Sequence, residues 1–250
     1  MCGIAGFIDF TKKQGKDILK KIRNFITKLY IVPKTMKHLE NIRKYELEIV
    51  INDLDKEDII LEIGAGAGWQ SKILSDSGYI IEAIDLENTN YKDDQIFDVI
   101  SYDGYKIPYP DNSFDVVFSS NVLEHISHIY EFQEEISRVL KDSGKCIHLL
   151  PSSQWVFWTN ITGLIVKFRF SAVHGEIAKS SFSELYYFSK TYWDNLFSNT
   201  GFIVYNYKKN NIFYTGESLM DYRLSIKSRK KLSKLFGSSC HYYILKKKNN

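Results

Sequence analysis

The chain has 250 residues, 33 Lys and Arg against 30 Asp and Glu for a net charge of +3, and is 44% hydrophobic and 25% charged. That length suits one large domain or a domain with an appendage. The composition excludes a disordered or collagen-like chain, and the near balance of charge gives no electrostatic footprint for nucleic acid. Three widely spaced cysteines, Cys2, Cys146 and Cys240, offer neither paired zinc ligands nor a disulfide framework, so a reducing compartment is expected, and no metal site is. The most apolar window, 155–168, is interrupted by Thr159, Asn160 and Lys167 and is too short for a membrane span. A cytoplasmic, non-spanning protein follows as the expectation.

In chain order, Ile18, Leu19, Ile22, Phe25, Ile26, Leu29 and Tyr30 recur at three-and-four spacing and predict an amphipathic helix that Pro33 ends. A second amphipathic stretch spans 36–51. The first 52 residues thus read as a helical extension ahead of a domain at 53–250. A strand is predicted over 58–63, a helix over 69–76 and a strand over 79–84. Further strands are predicted around 97–102 and over 114–119, a helix over 130–140 and a strand over 145–150. Strands alternating with helices require parallel pairing with right-handed crossovers. The fold class is therefore α/β, a Rossmann-like doubly wound sheet, mostly parallel. Beyond it, 152–188 is an aromatic-rich insertion placed past the carboxyl ends of the strands, where open α/β sheets bind ligands. A helix over 189–198, a strand over 202–207 and a closing strand over 242–245 complete the reading. The Lys-rich run 227–234 reads as solvated surface.

The sharpest chemical signal is the run Leu61-Glu62-Ile63-Gly64-Ala65-Gly66-Ala67-Gly68, a strand feeding three alternate glycines and then a helix. A pyrophosphate-binding dinucleotide loop wants a further glycine at 69, facing the phosphates. Trp69 stands there, which favours a nucleoside ligand without a phosphate and points away from a nicotinamide cofactor. Asp85 lies 21 positions after Gly64, the distance expected of a ribose-binding acid on this topology.

Together with Asp103-Gly104-Tyr105, the run Ile107 to Val117 and the segment Ser120-Asn121-Val122-Leu123-Glu124-His125, these blocks resemble the class I S-adenosylmethionine-dependent methyltransferases of the type 11 branch, over about residues 58–150. The resemblance implies a seven-stranded sheet and S-adenosylmethionine as cofactor. Glu62, Gly64, Ala65, Gly66 and Gly68 would hold its methionine part, Asp85 and Leu86 its ribose, Asp103, Gly104 and Tyr105 its adenine. Ser120, Asn121 and Glu124 would sit beside the methyl donor. The distal blocks His174-Gly175-Glu176, Ser183-Glu184-Leu185, Tyr192-Trp193 and Thr215-Gly216 are similar to methyltransferases of surface-polysaccharide pathways. That implies O-methylation of a small polar acceptor in capsule or lipopolysaccharide synthesis: a sugar, a nucleotide-linked or lipid-linked intermediate, or a phosphate-type or phosphoramidate oxygen. His174 is the candidate general base and His125 a second candidate at the end of the fourth strand. His148 reads as core.

Two other readings stand beside this one. An RNA methyltransferase would account for the basic C-terminus, but no Asn-Pro-Pro-aromatic motif follows strand four and no cysteine follows Pro151. A non-catalytic scaffold would keep the fold and lose the cofactor. Residues 1–7, MCGIAGF, resemble the start of class II glutamine amidotransferases; with fewer than 60 residues before the glycine strand, a vestigial leader is expected and Cys2 is not catalytic.

Overall fold

A computed structural model describes residues 37–87, 92–217 and 224–248. The expected helix over 18–30, the MCGIAGF leader and Cys2 lie outside the described residues. Helix α1 (Lys37–Ile51) precedes β1 (Ile59–Ile63), α2 (Trp69–Asp76) and β2 (Ile80–Leu86). Then follow β3 (Ile100–Tyr102), β4 (Phe114–Ser120), α3 (Ile129–Val139) and β5 (Leu140–Pro151). The distal part holds α4 (Ser153–Lys167), α5 (Ser181–Tyr187), α6 (Lys190–Asn199), β6 (Phe202–Lys209), α7 (Ile226–Phe236) and β7 (Cys240–Lys247).

The seven strands form one sheet in the order β3-β2-β1-β4-β5-β7-β6. The five N-terminal strands pair in parallel, and β7 runs antiparallel to both β5 and β6. This is the expected doubly wound sheet. Strand order reverses between β1 and β4, so the loops after their carboxyl ends flank the crevice where such sheets bind ligands.

Alternation along the strands divides the core between two faces. Leu61 and Ile63 of β1 and Tyr243 of β7 join Phe132 and Ile136 of α3 and Trp193, Leu196 and Phe197 of α6. Ile60, Phe118, Ile147 and Tyr242 point the other way, against Leu74 of α2 and Leu47 and Val50 of α1. Helix α1 therefore belongs to the same core as the sheet. Its Ile42 continues into a third cluster with Trp155, Phe188, Ile212, Tyr214 and Cys240 behind the aromatic segment. That cluster roots 152–188 in the domain: α4 starts from Ser152, whose hydroxyl accepts from the Trp155 amide at 3.2 Å and donates to the Ser238 carbonyl at 2.7 Å.

Two elements differ from expectation. Strand β5 begins five residues early because Leu140 pairs with Phe114 before a register shift carries the ladder on to Lys145. The Lys-rich run keeps Lys227, Lys230, Lys231 and Lys234 exposed, as a solvated surface should, and is helical besides: Ser225 caps α7, and Arg229 is its buried residue, donating to the Phe213 carbonyl at 3.2 Å. No described helix is long and apolar enough to cross a membrane.

Candidate active site

The glycine loop turns the chain from β1 into α2, and Gly64, Gly66 and Gly68 all adopt positive φ, +71°, +59° and +75°. At Gly64 the constraint is double. Only glycine takes this conformation without cost, and a Cβ there would come within 2.4 Å of Val122 Cγ2 in the loop after β4. The Gly64→Ala protein is expected to lose about 2–5 kcal/mol, from ~1–2 of left-handed strain and ~1–3 of overpacking. That amounts to a drop of roughly 4–20 °C in thermal midpoint for a domain of this size, read by circular dichroism; an unchanged midpoint contradicts this account of the loop.

The loop, β2 and the segments after β3 and β4 enclose a cleft of about 520 Å³, within the range of small-molecule sites. Of the predicted cofactor residues, Gly64, Gly66, Asp85, Leu86, Asp103, Gly104, Tyr105 and Asn121 line it, as does the candidate His125. Asp85 ends β2 with Oδ2 accepting from the Gly66 amide at 2.7 Å and Oδ1 from the Leu86 amide at 2.7 Å, so the acid and the loop hold each other in place. Asp103 Oδ1 accepts from the amides of Tyr105 and Lys106 at 2.8 and 2.9 Å, and these bonds hold its carboxyl below the usual carboxylate range. Asn121 takes the left-handed conformation at φ +56°, which its short amide tolerates, and its own amide donates to the Leu149 carbonyl at 2.9 Å.

His128, to which the sequence assigns no role, also lines the cleft, three positions beyond His125. Its Nε2 donates to the Gly104 carbonyl at 3.0 Å, and its ring stacks on Tyr105 with centroids 4.3 Å apart. This joins the loops after β3 and β4 at the end expected to take adenine.

Five predicted cofactor residues stand outside the cleft wall, each for a physical reason. Glu62 is 2% exposed and turned toward α2, where it accepts from Ser71 Oγ; it braces the loop from behind. The Ala65 amide donates to the Ile84 carbonyl at 3.1 Å, and Gly68 packs against Phe97, whose Cβ would lie 2.5 Å from an added Cβ. Ser120 Oγ accepts from Asn121 Nδ2 at 3.2 Å. Glu124 is directed at the two candidate histidines.

Burial pushes the Glu62 carboxyl up to about 7, against the Ser71 hydrogen bonds that lower it and with the Asp85 charge adding to the rise. An acid whose folded value is raised binds its proton more tightly when folded. Its stabilising contribution is full below the unfolded value of ~4.3 and is lost as pH climbs toward about 7. Glu62→Gln mimics the protonated form, so its thermal midpoint is expected to rise relative to wild type between pH 5 and pH 8; a constant difference across that interval refutes the assignment.

His174 lies outside the cofactor cleft and lines an adjoining cavity of about 300 Å³ with Trp155, Thr159, Asn160, Lys167, Arg169 and Glu217. The two spaces meet at a ring contact, His125 against His174, with centroids 4.7 Å apart at 66°. The loop carrying His174 is pinned twice: Glu184 Oε1 accepts from the amides of His174 and Gly175, the latter at 2.7 Å, and the Glu176 amide donates to the Glu124 carbonyl at 3.0 Å. A Cβ on Gly175 would lie 2.9 Å from that same carbonyl, so glycine permits the approach. Partial desolvation by the surrounding side chains, then the charges of His125 and Arg43, lower His174 toward about 4 although its ring keeps an exposed edge, and the same desolvation lowers His125 against the pull of Glu176. Glu124 is 1% exposed and burial pushes it up to about 8, with Arg43 acting in the opposite direction. His148 is core, bonded through Nδ1 to Ser119 Oγ at 2.8 Å. The other described cysteines, Cys146 and Cys240, are buried, with thiols raised by desolvation.

Residues 61–148 match the methyltransferase domain family. Among curated relatives, the demethylmenaquinone methyltransferase of Corynebacterium urealyticum is 33% identical over 95 residues, covering 37% of this chain and 41% of its own. The ubiquinone biosynthesis O-methyltransferase of Rickettsia conorii is 28% identical over 111 residues, covering 41% of this chain and 37% of its own. The chain thus spans less than half the length of these relatives. The solved S-adenosylmethionine-dependent methyltransferase of Mesorhizobium loti shares the fold at a TM-score of 0.54 and 14% identity, over 80% of this chain and 97% of that one. Sheet order and glycine loop give the chain the class I, Rossmann-like methyltransferase fold, and the family match lies on the part of it that carries the cleft, residues 61–148. Its cofactor is S-adenosylmethionine, and the cleft fits that molecule: small residues where the loop crosses β4, one carboxylate at the tip of β2, an aromatic ring over the far end.

Proposed function

We propose that the protein transfers a methyl group from S-adenosylmethionine to an oxygen of a small polar acceptor, a sugar or sugar-linked group that includes nucleotide-linked, lipid-linked and phosphate-type intermediates of surface-polysaccharide synthesis. The observation that carries this reading is the ring contact of His125 with His174, which sets a second cavity with a polar lining and one aromatic wall directly beside the cofactor cleft. Trp155 offers a ring face of the kind that stacks on sugars, Thr159 and Asn160 offer hydrogen bonds to hydroxyls, and Lys167 and Arg169 offer charge to a phosphate. Lys167 is held by Glu217 at 2.6 Å.

When bound, S-adenosylmethionine supplies a methyl carbon on a positively charged sulfur, which is displaced in line. The chain's own contribution is chiefly alignment, worth up to ~7–11 kcal/mol. Asp85 fixes the donor's sugar, the loop at Gly64 and Gly66 fixes its depth, and Asn121 and His125 border the space toward the acceptor. An acceptor hydroxyl must also lose its proton, and His125, His174 and Glu124 converge where that oxygen would enter.

The test incubates the protein with methyl-labelled S-adenosylmethionine and a panel of nucleotide-linked sugars, quinols and RNA, followed by mass spectrometry of the products. Label in the sugar moiety is the expected result. Label in quinols or RNA with none in sugars removes the acceptor assignment, and absence of S-adenosylmethionine binding by calorimetry leaves the fold as a scaffold.

A further inference from the structure

We infer that Glu124, His125 and His174 form a binding site for a divalent transition-metal cation of the manganese or zinc class, with its open coordination positions facing the acceptor cavity. Each of the three offers a ligand atom, and these atoms lie within 4.8 Å of one another. Glu124 Oε1 stands 3.8 Å from His125 Nε2. Ligands bound at ~2.1 Å to one ion are separated by ~3–4 Å, so a closure of about 1 Å completes the set, well within rotamer adjustment of two imidazoles that stay open to solvent-filled space.

The independent observation is Glu124 itself. Its side chain is shielded, its two carboxylate oxygens have no hydrogen-bond partner among the described residues, and it points at the histidines. A buried carboxylate without a donor is costly, and a cation between it and the two rings removes that cost. Two imidazoles and one carboxylate select borderline transition ions over calcium or magnesium, and three protein ligands leave positions for substrate, as in catalytic rather than structural sites. The surrounding charge permits it: Arg43, the cation whose field reaches Glu124 and His174, is ion-paired with Glu46 at 2.7 Å, and the carboxylate of Glu176 acts on His125.

What the ion would do rests on the O-methylation reading; whether it binds does not. An acceptor hydroxyl bound to it would release its proton to bulk water more readily. The oxygen lone pair would then form the new bond to the methyl carbon while the carbon–sulfur bond breaks and leaves its electron pair on sulfur, giving an ether and a neutral thioether.

Tag-free, chelator-treated protein is titrated with Mn²⁺ by electron paramagnetic resonance and with Zn²⁺ by calorimetry, and S-adenosylmethionine binding is measured on the same samples. Uptake of one equivalent at micromolar affinity or better is expected, weakened at least ~10-fold in Glu124→Gln and in His174→Ala; His125→Gln, altering a side chain on the open surface of the cleft, repeats the test should either variant fail to fold. No uptake of either ion up to millimolar concentration overturns the inference, as does equal uptake by wild type and folded variants. Protein that takes up neither ion yet binds S-adenosylmethionine sinks the metal site alone, whereas metal uptake without S-adenosylmethionine binding sinks the methyltransferase reading.

Discussion

Asp85→Ala is expected to weaken S-adenosylmethionine binding by about 10²- to 10⁴-fold. The carboxylate stands at the carboxyl end of β2, in the wall of the cleft, with one oxygen accepting from the Gly66 amide and the other from the Leu86 amide, each keeping a free lone pair. A sugar with two vicinal hydroxyls would present two donors to it, and hydrogen bonds to a charged acceptor contribute ~1.5–3 kcal/mol each. Together that is ~3–6 kcal/mol, or two to four decades of affinity. The loss has a second source, because the same carboxylate orders the loop through the Gly66 amide. Asp85→Asn keeps an acceptor oxygen and removes the charge, so it is expected to fall between wild type and Ala. Isothermal titration gives the ratio; an affinity for Asp85→Ala within threefold of wild type means that the nucleoside does not lie across this carboxylate.

The parts of this fold that were legible in the sequence are those where one physical cause dominates. Ile59–Ile63 and Phe114–Ser120 are central strands of a parallel sheet, covered on both faces, so apolar residues fill consecutive positions, 59–61 in the first and 116–118 in the second. Helix α2 lies between a glycine loop and Gly78, and its predicted bounds match the observed Trp69–Asp76. The start of β5 was hidden because it is set by pairing with Phe114, a partner 26 positions away, and not by local pattern. Helix α7 was hidden for a different reason. Its one fully buried side chain is Arg229, so it has no continuous apolar stripe and its lysines dominate the sequence.

The same division runs through the site. The cofactor side depends on short-range geometry at strand ends: spacing marks the glycine loop and Asp85, and the family resemblance supplies the residues after β3 and β4. For Glu62, which could orient the loop or meet a ligand ammonium, spacing fixes a position along the strand but not which side of the loop the carboxylate takes; the Ser71 hydroxyl decides that. The acceptor side depends on a loop brought back from far along the chain. His125 and His174 are 49 positions apart, and their contact follows from the Glu176 amide, the Glu184 carboxylate and the absence of a side chain at Gly175. Nothing in either local sequence announces it, so a cluster of two imidazoles and a buried carboxylate emerged only in three dimensions.

His174→Ala is the variant that separates the two sides. Its ring lies outside the cofactor cleft and touches His125 and Trp155, with centroids 4.7 and 4.9 Å away. Removing it leaves Asp85, the glycine loop, Asn121 and the Tyr105–His128 stack in place, so S-adenosylmethionine is expected to bind with unchanged affinity. Turnover is expected to fall by about 10²- to 10⁴-fold, the range over which a positioned group assists removal of a proton from a reacting oxygen. Trp155 loses one neighbour but keeps its stacking on Phe188, so the acceptor cavity keeps its aromatic wall. The measurement pairs single-turnover methyl transfer with calorimetric binding of S-adenosylmethionine. Loss of both together would mean that His174 supports the whole cleft and has no particular role toward the acceptor, and retention of both would place the acceptor oxygen elsewhere, against Asn121 and the far side of His125.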